Sequence, residues 1–134
     1  QKMSDKFLGM ILKERGAVTD EELTDALAEQ FTLAVVDLKT EHIDMELARR
    51  FSTSLIVDHK CFPLREDEYS VTVAIVNPLN AVAIAKLEEE ASPRNVNLVL
   101  ATEKDISELI KNYRLYISQS IQRLLKRKPG EGAP

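Results

Sequence analysis

Apolar residues recur every three or four positions in the first thirty residues, which is the spacing of amphipathic helices. Ser4 is a suitable N-cap for a first helix. The apolar stripe of this helix contains Phe7, Leu8, Ile11 and Leu12. Thr19 and Glu22 have the spacing of a capping box, which predicts the start of a second helix. Because the connection between the two helices is short, residues 4–30 are predicted to form a helical hairpin.

The middle of the chain contains short apolar runs of the kind that form buried strands. Residues 61–65 and 69–76 predict the two strands of a β-hairpin, joined by an acidic turn. Further strands are predicted at residues 33–38 and 96–101, with helical segments between the strands. We therefore predict an α+β fold, in which the helical hairpin is followed by a small, largely antiparallel β-sheet packed with helices.

The last apolar pattern begins after Thr102 and continues at helical spacing to about Arg127, which predicts a long C-terminal helix. Its apolar stripe extends past the length that is needed to cover a small sheet. We therefore expect the outer part of the stripe to contact a partner protein, a second copy of the chain or a membrane surface. The residues of this candidate surface are Ile117, Ile121, Leu124 and Leu125.

The domain organisation follows from these elements. A single domain is predicted over residues 4–127, and residues 128–134 are rich in Pro and Gly and predict a linker. The predicted parts of the domain are the helical hairpin at 4–30, an α+β body at 31–114 and a helix extension at 115–127. Because the chain begins at Gln1 rather than Met, we expect it to be a piece of a longer protein.

Charge is unevenly distributed along the chain. The net charge of the 134 residues is −4, but residues 1–110 carry 12 basic and 21 acidic groups, whereas residues 111–134 carry six basic groups and one acidic group. The acidic body argues against nucleic acid as the partner, because neutralising phosphates requires a basic surface. The basic end is either a solvated helix face or a contact for an acidic protein or membrane surface.

The sequence contains few residue patterns that are typical of catalytic or cofactor-binding sites. Residues 17–129 contain no glycine, so the chain lacks the glycine-rich loop of a phosphate-binding ATP site. His42, His59 and Cys61 do not supply the three or four ligands of a zinc site. Cys61 begins an apolar strand, where cysteine usually behaves as a small buried residue. We therefore expect no enzyme activity, no cofactor and no metal site in this chain.

Several short segments, taken in order, resemble a known bacterial family. These segments are Phe7-Leu8-Gly9, Gly16-Ala17-Val18-Thr19, Val35-Val36-Asp37-Leu38, Ala48-Arg49-Arg50-Phe51, Cys61-Phe62-Pro63-Leu64, Val71-Thr72-Val73-Ala74, Asn77-Pro78-Leu79 and Leu100-Ala101-Thr102-Glu103. Their order and spacing over residues 7–114 are similar to the N-terminal domain of the type II secretion ATPases and the type IV pilus assembly ATPases.

The resemblance implies a docking function. In this family the domain precedes the ATPase motor domain of the same parent chain. It holds the motor to the cytoplasmic domain of an inner-membrane platform protein. The resemblance therefore implies a non-catalytic adaptor that lies in the cytoplasm and reaches the inner membrane only indirectly, through its partners.

A subset of the same family binds cyclic di-GMP through a 24-residue hairpin motif that opens with Arg-Leu-Gly and ends on Gln. Leu8, Gly9 and Gln30 match this motif, whereas Phe7 stands at the position of the arginine. A phenylalanine can stack on a base but cannot form the bidentate hydrogen bonds of an arginine. The alternative is that the leucines are the core of the hairpin. The candidate ligand-binding residues are Phe7, Leu8, Gly9, Leu12, Leu23, Leu27 and Gln30.

Overall fold

A mixed β-sheet lies at the centre of the computed structural model, which describes residues 19–126. In this part of the chain four strands pair in the order β1–β4–β3–β2. The strands are β1 (Ala34–Val35), β2 (Phe62–Glu66), β3 (Ser70–Ile75) and β4 (Asn95–Leu100). The helical elements are α1 (Asp20–Phe31), α2 (Met45–Ala48), a π-helical turn (Ser54–Asp58), α3 (Ala81–Ala91) and α4 (Glu103–Lys126).

The strand directions correct one expectation from the sequence. β2 and β3 form the predicted antiparallel hairpin, but β4 runs parallel to both β3 and β1, so the sheet is not largely antiparallel. The cause is the connection through α3, since a helix between two strands brings them side by side in the same direction. The α+β class and the long C-terminal helix are confirmed.

The turn between β2 and β3 is held by one carboxylate. The backbone N–H groups of Tyr69 and Ser70 each donate to Asp67 Oδ1 at 2.8 Å, and the Asp67 N–H donates to the Ser70 carbonyl. These donated hydrogen bonds lower the pKa of Asp67 below its ordinary value. The acidic turn is therefore built by local side-chain-to-backbone bonds.

The helix starts follow their capping residues. Thr19 and Glu22 form both bonds of the predicted capping box, each at 3.0 Å, and α1 begins at Asp20. Asp44 accepts from two backbone N–H groups at the start of α2. Asn80 caps α3 by accepting from the Ala83 N–H at 3.1 Å. The second helix of the predicted hairpin is thus present as α1, and the first lies outside the described residues.

One hydrophobic core joins the sheet to its helices. Phe62, Leu64, Val73 and Leu100 of the strands are fully buried, together with Leu87 of α3. Each such side chain contributes about 1.5–3 kcal/mol through burial. The ring of Phe62 meets the ring of Tyr113 on α4 edge to face, with centroids 5.4 Å apart. α4 is thereby anchored on the sheet through its first half.

Candidate functional site

The second half of α4 carries large apolar side chains that the core does not cover. Tyr113 is buried and Ile117 packs partly on the core. Beyond them, the side chains of Ile121, Leu124 and Leu125 are 50%, 65% and 76% exposed. Such a concentration of exposed apolar residues on one helix is typical of an interaction surface. Of the four residues predicted for this surface, Ile121, Leu124 and Leu125 are exposed, and Ile117 lies at its inner edge.

A groove of about 610 Å³ runs between α4 and the segment that contains the π-helical turn. Phe51, Val57 and Tyr113 provide apolar walls, and Ile117 and Ile121 extend the apolar surface along α4. Phe51 and Tyr113 are both buried against the core, so this wall is fixed by the packing of the whole domain. The groove is therefore a formed feature and not a gap between two loosely placed elements.

The charges at the groove are two arginines and one neighbouring glutamate. Arg49 and Arg114 are the charged side chains among the described residues that line the groove, and Glu46 lies beside Arg49. Arg49 Nη1 lies 3.4 Å from Glu46 Oε2 in an exposed pair, and the Tyr116 hydroxyl donates to the same carboxylate. Burial raises the pKa of the Tyr113 hydroxyl, which keeps this wall of the groove uncharged. The groove thus combines an apolar interior with arginine side chains.

The predicted cyclic di-GMP residues are only partly described. Leu27 on α1 is buried in the core, Leu23 packs partly against that core, and Gln30 is exposed. Within the described residues the two leucines thus contribute to the packing of α1, and the choice between core and ligand site stays a prediction. Phe7, Leu8, Gly9 and Leu12 lie outside the described residues.

A second groove, of about 680 Å³, lies at the carboxyl ends of β1 and β4. Its described lining includes the acidic residues Asp20, Asp37 and Asp105 together with Lys39 and Lys104. Asp20 also holds α1 to α4, because its carboxylate accepts from the backbone N–H groups of Glu103 at 3.2 Å and Lys104 at 2.8 Å. The role of Asp20 was missed from the sequence, since 83 positions separate it from Glu103 and no local pattern signals the contact.

The cysteine and the histidines do not form a reactive centre in the described part of the chain. Cys61 is buried, and burial raises the pKa of its thiol to about 11. His59 Nδ1 lies 3.2 Å from the side-chain amide of Asn80. Among residues 19–126, no three His, Cys, Asp or Glu side chains are grouped so as to hold a metal ion. Over the same residues, no helix is long and apolar enough to cross a membrane.

Comparison with known proteins identifies the family. The model of the MshEN domain matches residues 31–127, so this chain belongs to the MshEN domain family. Type IV pilus assembly ATPase PilB of Myxococcus xanthus (strain DK1622) is 26% identical over 113 residues, which cover 84% of this chain and 20% of PilB. The chain therefore spans about a fifth of the length of this relative.

Solved structures support the same fold. The structure of MshE with cdg (cyclic di-GMP) aligns with a TM-score of 0.69 and 21% identity, covering 78% of this chain and 76% of that one. The N-terminal domain of XpsE aligns with a TM-score of 0.62 and 18% identity, covering 75% and 70%. The resemblance to the N-terminal domain of type II secretion and type IV pilus ATPases is confirmed.

The sequence predicted one side of the groove and missed the other. The apolar stripe of α4 was visible from its helical spacing. Arg49, Phe51 and Val57 come from a segment about sixty positions earlier, and only folding brings them beside α4. The segment Ala48-Arg49-Arg50-Phe51 carried part of the family resemblance, but nothing in its pattern indicated that it faces α4.

Proposed function

We propose that this chain is a non-catalytic docking domain at the N-terminal side of a type II secretion or type IV pilus assembly ATPase. In this proposal it holds the motor to the cytoplasmic domain of an inner-membrane platform protein. Membership of the MshEN family and the match to PilB support the motor assignment. The predicted domain limits of 4–127 and the linker at 128–134 give the connection that such an arrangement needs.

The main structural support for the docking function is the uncovered apolar surface of α4. Leu124 and Leu125 lie in the last turns of the helix, and Ile121 borders the groove beside Phe51. Exposed apolar side chains of this size are costly in a monomer and are covered in protein complexes. The domain in this proposal lies in the cytoplasm and is peripheral to the inner membrane through its platform partner.

The test is direct binding between the purified chain and the purified cytoplasmic domain of the platform protein of the same organism. We expect saturable binding with a dissociation constant in the micromolar range, on the order of −8 kcal/mol. As a specificity control, the periplasmic domain of the same platform protein is used in the same assay. If the cytoplasmic domain does not bind, or both domains bind equally, the docking function is wrong.

A second candidate function is cyclic di-GMP sensing. The observation that favours it is the likeness in fold to MshE, whose structure was solved with cdg. Gln30, the last residue of the candidate motif, is exposed near the end of α1. The burial of Leu27 in the core and the presence of Phe7 in place of the motif arginine support docking instead.

Calorimetric titration with cyclic di-GMP distinguishes the two functions. Docking alone predicts no saturable heat from the native chain. The Phe7→Arg variant restores the motif arginine and tests whether Phe7 alone prevents binding of cyclic di-GMP. Saturable heat from the native chain, lost in a Gln30→Ala variant and kept in Lys86→Ala, would make the domain a nucleotide sensor.

A further inference from the structure

We propose that the groove between α4 and the π-helical turn binds an amphipathic helix of the partner protein whose apolar stripe is flanked by Asp or Glu. This inference rests on the proposed docking function and names the surface and the chemistry of the partner. The occupant contributes apolar side chains to the groove and carboxylates to the arginines that line it. Recognition of an amphipathic helix by a groove is a common mode of peptide binding.

The shape of the site favours a helix over a flat surface. The groove is concave, with Phe51 and Val57 on one side and Ile117 and Ile121 on the other. The groove is open to solvent along its length and has a volume of about 610 Å³. A row of apolar side chains spaced by three and four residues can fill such a channel. A bilayer surface is flat and leaves the inner walls of the groove uncovered.

The charges around the groove select an acidic occupant. Arg49 and Arg114 can each present a guanidinium group to a carboxylate of the bound helix. Among the described residues, the acidic side chain of Glu46 lies beside the groove and pairs with Arg49. Arg49 is exposed, and its Nη1 lies 3.4 Å from the Glu46 carboxylate. Because an exposed ion pair contributes little free energy, little stability is lost when the Arg49 side chain turns from Glu46 to a partner.

The charge of α4 itself also argues against a dimer of this chain in which the two α4 helices meet. Between residues 111 and 126 the sequence carries four basic residues, Lys111, Arg114, Arg123 and Lys126, and no acidic residue. Two copies that met along this part of α4 would bring like charges together, which disfavours association. An acidic helix from another protein makes the opposite, favourable arrangement.

The experiment measures binding of the cytoplasmic platform domain to the native chain and to two double variants. Arg114→Glu with Ile121→Glu removes one cation and one apolar contact from the groove. Lys86→Glu with Val82→Glu makes the same changes on α3, away from the groove, and serves as the matched control. Ile121 and Val82 are 50% and 71% exposed, so both variants are expected to fold; circular dichroism and the melting temperature check this.

We expect the groove variant to lose about tenfold or more in affinity, because it removes a central apolar contact and reverses a charge. The α3 variant should stay within about twofold of the native chain. Rising salt should weaken the native complex more than the complex of the groove variant. Equal affinity of both variants for the platform domain would overturn the groove assignment and leave the docking function standing.

Two controls test whether a lipid surface or a second copy of the chain binds at the groove instead. Vesicles of phosphatidylglycerol and phosphatidylethanolamine are sedimented with the chain, and sedimentation equilibrium measures its self-association. Vesicle binding or dimerisation that Ile121→Glu abolishes, without any change in platform binding, would overturn the inference in favour of a lipid surface or a second copy. Failure of the native chain to bind the platform domain would overturn the docking function and this inference together.

Discussion

Asp20 connects two helices that are distant in the sequence. Its backbone begins α1 directly after the Thr19 cap, and its carboxylate accepts two backbone N–H groups from the first turn of α4. A carboxylate at this position satisfies donors that a helix start leaves unpaired and interacts favourably with the helix dipole. One side chain therefore fixes α1 relative to the helix that carries the candidate docking surface.

Replacing Asp20 by Ala should lower the free energy of unfolding by about 1 kcal/mol, as expected for the loss of a helix cap. Glu21→Ala is the matched control, since it removes an acidic side chain from the same turn of α1. Urea denaturation followed by circular dichroism measures both. An equal loss in the two variants would show that general charge in the first turn, and not the bond to α4, is responsible.

The carboxylate of Asp67 makes the β2–β3 turn sensitive to acid. Its pKa is lower in the folded chain than the ordinary 3.8, because backbone N–H groups of Tyr69 and Ser70 donate to it. The folded state therefore gains stability from the ionised group above pH 3.8, and this gain is lost as the pH falls through the folded pKa.

Asp67→Asn keeps a hydrogen-bond acceptor in the turn and removes the titration. We expect the native chain to be more stable than this variant at neutral pH, and the difference to shrink below pH 3.8. Urea midpoints measured across this pH range provide the check. A difference between the two proteins that stays constant with pH would contradict the account of this turn.

At the scale of elements, α4 has two parts with different roles. Its first half packs on the sheet through Ile106, Ile110 and Tyr113. The Tyr116 hydroxyl still donates to Glu46, and Ile117 still packs on the core. From Ser118 onward the described side chains are mostly exposed, so this end of the helix contributes little to the fold.

Ending the chain after Ser118 should therefore change the free energy of unfolding by only about 0.5 kcal/mol. Ending it after Asn112 also removes Tyr113 and its contact with Phe62, which should cost at least about 3 kcal/mol. Thermal and urea denaturation of both truncated chains test this. A large loss from the first truncation would mean that the exposed stripe of α4 belongs to the core.

The local features of the fold were predictable from the sequence, whereas the parallel pairing of β4 with β3 and β1 was not. The capping box of Thr19 and Glu22 and the hairpin of β2 and β3 depend on residues close together in the chain. The parallel pairing of β4 with β1 joins Val99 to Ala34, which are far apart in sequence. Apolar runs indicate that strands exist but do not state which strands become neighbours.

The candidate site was likewise predictable only where its residues lie close together in the sequence. The stripe of Ile117, Ile121, Leu124 and Leu125 was predicted because it lies on one helix. The opposite wall, with Arg49 and Phe51, forms only when α2 and the π-helical turn pack beside α4. The groove, its arginines and the proposed acidic occupant could therefore be inferred only from the folded chain.

At the scale of the whole molecule, an acidic body carries a basic and apolar helix end. Residues 1–110 have an excess of acidic groups, whereas residues 111–126 have basic groups alone. Complementary charge increases the rate and the specificity of association, so the basic end of α4 favours an acidic partner. This charge distribution agrees with a domain that docks through α4, and the MshEN family membership places the chain among secretion and pilus ATPase relatives.

Docking of the chain on a platform protein is the proposal on which the groove assignment depends. The measurement that tests it most directly is calorimetric titration of the native chain with the cytoplasmic domain of the platform protein from the same organism. We predict saturable binding in the micromolar range, about −8 kcal/mol, that the double variant Arg114→Glu, Ile121→Glu weakens. The absence of saturable heat with the native chain would contradict the docking function.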